Sequence, residues 1–153
     1  MLLVLIVGCV GCDQVTKAVA RSHIPRGETI SLWGDTVRLQ HAQNPGAFLS
    51  LGESLPDSVR TGLFTVGGLI LVLAAIGWAL FSKRLKWPGV VGAALICGGG
   101  IGNLVDRLTQ HGQVTDFLNV GVATLRTGIF NVADFLLLLG MALSIYDGMT
   151  ERD

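Results

Sequence analysis

Two carboxylates in the second half of this 153-residue chain stand where a lipid-buried segment should not carry unpaired charge. Asp134 lies in Phe130-Asn131-Val132-Ala133-Asp134-Phe135 and runs directly into the apolar stretch 136–141. Asp116 lies eighteen residues earlier, in Val114-Thr115-Asp116-Phe117, on what reads as a short exposed connection. An ionisable group at the edge of a membrane segment is costly to keep, so by default it marks function. Two that converge suit one chemistry: a pair of aspartates sharing a proton, the ionised one activating water and the protonated one stabilising an oxyanion. No Lys or Arg stands three or four positions from Asp134 to neutralise it along its own helix.

Other polar residues come in groups. Asp13, Thr16 and Lys17 share a helical face at i, i+3 and i+4; Asn103, Asp106 and Arg107 repeat that spacing, and Asn131 shares a face with Asp134. Asn44 precedes Pro45 and is pushed towards extended backbone, while Gly46 permits a sharp reversal. If the helix ends converge, five segments contribute to one polar pocket just below the membrane surface. Each group also has a plainer reading. Asp13 with Lys17 can be an ion pair snorkelling to the interface, and Asp106 with Arg107 an exposed helix end. Asn103 can simply bond a neighbouring helix, Asn44 can be a turn residue, and Asp116 a helix cap.

The elements that must position these groups follow from the charge distribution. Half of the residues are hydrophobic and only 14% are charged, against about a quarter charged in soluble domains. Residues 61–82 and 87–105 contain no Asp, Glu, Lys or Arg, and roughly 20 apolar residues cross a bilayer's hydrocarbon core. Continuing the uncharged start of the chain to about Arg21, and reading residues 129–147 through Asp134, gives four spans: about 2–21, 61–82, 87–106 and 129–147. The first begins abruptly at Met1 and leaves the true translation start open. Lys83-Arg84-Leu85-Lys86 packs three positive charges into a tight loop, which places that loop and both termini in the cytoplasm. The expected fold is an all-α polytopic membrane protein, one domain over 1–153. A small extracytoplasmic β-rich segment, 22–60, is expected between the first two helices, because residues 28–33 and 36–40 alternate apolar and polar around Gly34-Asp35.

The glycine run Gly98-Gly99-Gly100-Ile101-Gly102 would weaken a helix in water by about 1 kcal/mol per glycine, but in lipid it lets backbones approach closely. It therefore marks a crowded crossing beside Asn103. Cys9, Cys12 and Cys97 lie inside predicted helices and read as packing residues. His23, His41 and His111 lack metal-ligand spacing, so neither a metal nor a cofactor is expected. With eleven basic and eleven acidic residues and no basic patch, nothing points to nucleic acid.

Five motifs, in order, carry a resemblance: Asp13-Gln14-Val15-Thr16-Lys17, Asn44-Pro45-Gly46-Ala47-Phe48, the stretch from Gly100 to Arg107, Val114-Thr115-Asp116-Phe117, and Phe130 to Asp134. Together they make the chain similar to lipoprotein signal peptidase (signal peptidase II), an aspartic peptidase of the bacterial inner membrane, over nearly its whole length. Phe48 follows a single alanine where many members have a second small residue. The resemblance implies that Asp116 and Asp134 are catalytic, supported by Asp13, Lys17, Asn44, Gly46, Asn103, Arg107 and Asn131. It also implies a substrate, a lipid-modified prolipoprotein cut just before its diacylglyceryl cysteine, with membrane lipids as the surroundings and a monomer as the working unit. Other readings remain: a small transporter or proton relay using intramembrane carboxylates, or a non-catalytic membrane interaction protein. Ile6-Val7-Gly8-Cys9 itself looks like a lipoprotein cleavage box, yet no basic residue precedes the apolar run.

Overall fold

The computed structural model describes residues 1–46, 52, 54–82 and 85–150. Four helices are long and apolar enough to cross a membrane: α1 Leu2–His23, α2 Asp57–Phe81, α3 Trp87–Thr109 and α4 Val132–Thr150. α2 is continuous but contains a π-turn, Gly62–Val66. The helices overrun the charge-free windows because one-sided polar residues continue them. α1 takes in Asp13, Lys17 and Arg21, and α2 starts at Asp57 after Pro56. Lys83 and Arg84, on which the orientation rests, lie outside the described residues, as do Ala47 and Phe48.

The fold is not all-α. Strands β1 Thr29–Leu32, β2 Val37–Asn44, β3 Val114–Val122 and β4 Leu125–Arg126 form an antiparallel sheet in the order β1-β2-β3-β4. Half of it comes from the connection between α3 and α4, which had no β expectation. The predicted hairpin is present as β1–β2, with Gln40 Nε2 donating to Thr29 Oγ1 at 2.8 Å across the pair. Its turn runs through positive φ at Trp33, Gly34 and Asp35. Asp35 accepts from Ser31 at 2.6 Å and from Arg38 Nε at 2.7 Å, and these bonds, Arg38's first, hold its carboxyl well below the usual carboxylate range.

Both connections that carry the sheet leave the same end of the helical bundle. Ala20 and Ile24, at the end of α1, form a buried cluster with Phe117 of β3, and Leu39, Leu118 and Val132 pack on it. The pairing of β2 with β3 slips by one residue between Leu39 and Ala42, where β2 has the extra residue. A slip of one reverses which face each later side chain occupies. Because of this bulge, Asn44 shares a face with Asp116 instead of pointing away from it.

α3 is the central helix, and its glycines account for that. A Cβ at Gly99 would lie 2.6 Å from the Ala133 carbonyl oxygen of α4, one at Gly100 2.5 Å from Val72 of α2, and one at Gly102 2.5 Å from the Asp13 carboxylate of α1. Successive glycines thus face three different helices, and each contact needs the missing side chain. The outward side of α2, with Leu69, Ile70 and Leu73 exposed, is the reverse case.

Candidate active site

Asp116 is not on an exposed connection: it sits in β3 with 2% of its surface accessible. Phe130 explains how it meets the start of α4. The Phe130 N–H donates to the Leu118 carbonyl at 2.8 Å, and the Leu118 N–H returns the bond to the Phe130 carbonyl at 2.8 Å. This bridge closes the β3–β4 excursion and delivers Asn131 beside Asp116. Asn131 then opens α4. Its Oδ1 accepts from the Asp134 N–H at 3.0 Å, while Asp134 Oδ2 accepts from the Asn131 N–H at 3.2 Å. This reciprocal cap satisfies amides that a helix start leaves bare.

Each of the four carboxylate oxygens of Asp116 and Asp134 receives one neutral donor. Asp116 Oδ1 accepts from Asn131 Nδ2 at 2.6 Å and Oδ2 from Asn44 Nδ2 at 2.8 Å. Asp134 Oδ1 accepts from Asn103 Nδ2 at 3.0 Å, and Oδ2 from the Asn131 N–H already described. Among the described residues no ion pair reaches either aspartate. Burial, reinforced by the Asp134 charge and opposed by the two asparagine donors, pushes the Asp116 carboxyl up to about 7.

The nearby cations are engaged elsewhere. Lys17, fully buried, lies 2.8 Å from Asp13 Oδ2 and 3.6 Å from Asp106 Oδ2, and donates to Asn103 Oδ1 at 2.9 Å. Arg107 donates to the carbonyls of Gly46 at 2.5 Å and Gly112 at 3.0 Å, and its guanidinium lies 5.4 Å from the centre of the Phe64 ring. Two of the plainer sequence readings therefore fail. Asp13 and Lys17 do not snorkel, since both are fully enclosed, and Asp106 with Arg107 is no exposed helix end, at 0% and 8% accessible. The reasons differ: α3 and the start of α4 enclose Asp13 and Lys17, through Gly102, Asn103, Asp106 and Ala133, whereas β3 and the turns beside it cover Asp106 and Arg107. For Asn44 both readings hold, because its Oδ1 accepts from the Gly46 N–H at 2.8 Å to form the turn while its amide serves Asp116.

All nine residues singled out from the sequence thus belong to one connected network, from Asp13 through Lys17, Asn103, Asp134, Asn131, Asp116, Asn44 and Gly46 to Arg107. Sequence reasoning missed Gln14, Thr115 and Phe64, and named Asp106 without carrying it into the site. Gln14 Nε2 reaches Asp13 Oδ2 at 3.1 Å, the Gly102 carbonyl at 3.0 Å and Asp106 Oδ1 at 3.2 Å. Position 14 carries a polar residue one step off the Asp13–Lys17 face, and that was the available signal. Phe64, on the π-turn of α2, gave none.

A cavity of about 470 Å³ opens between α2, α3 and α4. Its walls are apolar, including Leu63, Phe64, Leu71, Ile96 and Met141, and its polar end is formed by Asn103, Arg107 and Asp134. Among the described residues no three His, Cys, Asp or Glu side chains converge as metal ligands. The arrangement can seat an extended apolar group with a polar junction at the carboxylates, and a carboxyl that keeps its proton towards neutrality can supply the protonated member of a protonated/ionised pair.

Fold and site together define a polytopic membrane protein with a small sheet capping a buried pair of carboxylates. The sequence model for Signal peptidase (SPase) II matches residues 5–150, and the chain belongs to that family. It is 32% identical over 154 residues to the lipoprotein signal peptidase of Leifsonia xyli subsp. xyli, covering 92% of this chain and 67% of that one. Over 152 residues it is 34% identical to the Rhodococcus jostii lipoprotein signal peptidase, covering 95% and 71%. Over 145 residues it is 32% identical to that of Borrelia duttonii, covering 91% and 84%. Two solved bacterial membrane enzymes share the fold. One has a TM-score of 0.86 at 23% identity, covering 99% of this chain and 89% of its own; the other has 0.80 at 24%, covering 95% and 90%.

Proposed function

We propose that this protein removes signal peptides from prolipoproteins, as a signal peptidase II, and does so as an aspartic endopeptidase with Asp116 and Asp134 as its dyad. The observation that carries the catalytic type is the donor pattern. Four neutral hydrogen bonds orient the two carboxylates, while Lys17 and Arg107 are bound to other acceptors. A lysine or arginine paired directly to either aspartate would fix it as a permanent anion. Amide donors leave the pair free to hold one proton between them, because two adjacent carboxylates do not both ionise cheaply.

In this mechanism the ionised aspartate takes a proton from a water between the two, and the oxygen attacks the scissile carbonyl. The protonated aspartate donates a hydrogen bond to the carbonyl oxygen as negative charge develops there. Collapse of the tetrahedral intermediate breaks the C–N bond. The proton taken from water passes to the leaving amine, and the dyad returns to its singly protonated state. Asn103 and Asn131 hold the carboxylates, and Arg107 holds the Asn44–Gly46 turn against the site.

The substrate proposed is a precursor cut immediately before a cysteine bearing diacylglyceryl. The apolar cavity with its polar end suits a signal helix that stays in lipid while its last peptide bond reaches the carboxylates. Trp33, 81% exposed at the tip of the β1–β2 hairpin, suits anchoring at the membrane interface. The proposed setting is the bacterial inner membrane, with both termini cytoplasmic, the sheet on the outer side, and a monomer as the working unit. Membership of a peptidase family disfavours the transporter reading. The deciding experiment is incubation of the purified protein with two precursor peptides differing only in the diacylglyceryl group. Cleavage before the cysteine of the lipidated peptide alone is expected; equal cleavage of both, or of neither, would overturn the assignment.

A further inference from the structure

Thr115 and Ala133 immediately precede the two aspartates, and the backbone N–H of each is held by a different buried carboxylate. Asp106 Oδ2 accepts from the Thr115 N–H at 2.8 Å, and Asp13 Oδ1 accepts from the Ala133 N–H at 2.9 Å. Lys17 and Gln14 each reach both of these carboxylates. Lys17 Nζ lies 2.8 Å from Asp13 Oδ2 and 3.6 Å from Asp106 Oδ2, and Gln14 Nε2 donates to Asp13 Oδ2 and Asp106 Oδ1. Asp13, Lys17 and Asp106 are all fully buried.

From this geometry we infer that Asp106 is a positioning residue for Asp116, the counterpart of Asp13 for Asp134, and that Gln14 and Lys17 lock the two clamps into one unit. The inference rests on the reading of Asp116 and Asp134 as the dyad. β3 and α4 come from opposite sides of the β3–β4 excursion, and no covalent constraint sets how far apart their aspartates sit. Two anions pulling on the peptide N–H just ahead of each aspartate, tied together by one lysine and one amide, fix that separation from behind. Neither Asp106 nor Gln14 touches a carboxylate of the dyad in the observed bonding, so they act on the reaction through backbone position. Arg21 completes the anchoring of Asp106: its guanidinium lies 3.6 Å from Asp106 Oδ1 and donates to Thr115 Oγ1 at 3.1 Å.

The test is steady-state cleavage of the lipidated precursor by Asp106→Asn and Gln14→Leu, with folded fraction measured for each and activity expressed per folded molecule. Gly89→Ala serves as a destabilised control: Gly89 opens α3 at the other end of the bundle, and an added Cβ there would run into the Asp147 carboxylate and Leu85. A displaced reacting group costs rate without weakening substrate binding. Asp106→Asn should therefore lose on the order of tenfold to a hundredfold in kcat with KM little changed, and Gln14→Leu should lose less in the same pattern. The control should keep its kcat per folded molecule. Unchanged kcat per folded Asp106→Asn, or a loss entirely in KM, would overturn the inference. If Asp106→Asn does not fold, Gln14→Leu decides: lowered kcat supports the clamp and unchanged kcat overturns it. Asp116→Asn and Asp134→Asn run alongside separate the two levels. Activity in those variants sinks the dyad itself, whereas their inactivity together with a normal Asp106→Asn sinks only the clamp.

Discussion

Asn131 and Asp134 cap each other across the first turn of α4, each side chain accepting the other's backbone N–H, at 3.0 and 3.2 Å. The same Asn131 then uses its amide on Asp116 at 2.6 Å. A single asparagine thus ties the start of a membrane helix to a strand, and couples the stability of α4 to the geometry of the two carboxylates.

Replacing Asn131 separates these roles. Asn131→Asp keeps an oxygen to cap the helix but presents an anion to Asp116 in place of a donor. It should lose at least about a hundredfold in kcat, since like charges disfavour the ionised partner, and it should also lose stability, because a third carboxylate is buried beside two others at a fully enclosed position. Asn131→Ala should lose activity and also about 1 kcal/mol of stability, the usual cost of removing a cap. Thermal unfolding in detergent and peptide cleavage, measured on both, give the comparison.

Substitution of either aspartate by asparagine should reduce cleavage to the background of a no-enzyme control. Folding should survive, because asparagine keeps the shape and part of the hydrogen bonding. Intact thermal transitions with no cleavage are the expected pair of readings, and clear residual turnover by Asp116→Asn or Asp134→Asn would count against a dyad.

The pH dependence has a definite sign. The fold keeps the Asp116 proton up to about 7, whereas an unfolded aspartate releases it near 3.8. Between those values the folded state binds the extra proton, so stability should fall as pH rises across that window and level off above it. In the proposed mechanism activity needs the dyad's single proton, and kcat/KM should then decline on the alkaline side with a midpoint near 7. A profile still rising through pH 8 would contradict this.

The glycines of α3 and α1 should respond oppositely to alanine. At Gly99 an added Cβ would meet the Ala133 carbonyl at 2.6 Å and Leu137 at 3.0 Å, whereas at Gly8 and Gly11 it would meet nothing within 4 Å. Gly99→Ala should cost about 1–3 kcal/mol by overpacking and lower activity, because Ala133 adjoins Asp134. Gly8→Ala and Gly11→Ala should be neutral or gain up to about 1 kcal/mol in helix propensity. Melting temperatures of the three variants decide the matter.

Much of this was legible in the chain. Two charge-free windows located α2 and α3, apolar runs read through a few charged residues located α1 and α4, the alternation around Gly34-Asp35 located β1 and β2, and the glycine run located the close crossing at α3. Asn131-x-x-Asp134 also carried the spacing of a reciprocal cap, a local signal that the sequence reading registered only as a shared face. Asp116 was misplaced because β3 is buried by what lies above and beside it, and Val-Thr-Asp-Phe has no pattern of its own that distinguishes an enclosed strand from an open loop.

Hydropathy and helical spacing depend on neighbours within a few turns, so the sequence by itself determined the spans and the residue types available for chemistry. Which atoms meet depends on contacts across long separations: Asp13 with Ala133 over 120 positions, Arg107 with Gly46 over 61, Asn44 with Asp116 over 72. Only the tertiary structure decided those, through a one-residue bulge in β2 and a bridge at Phe130 whose registers no local pattern specifies.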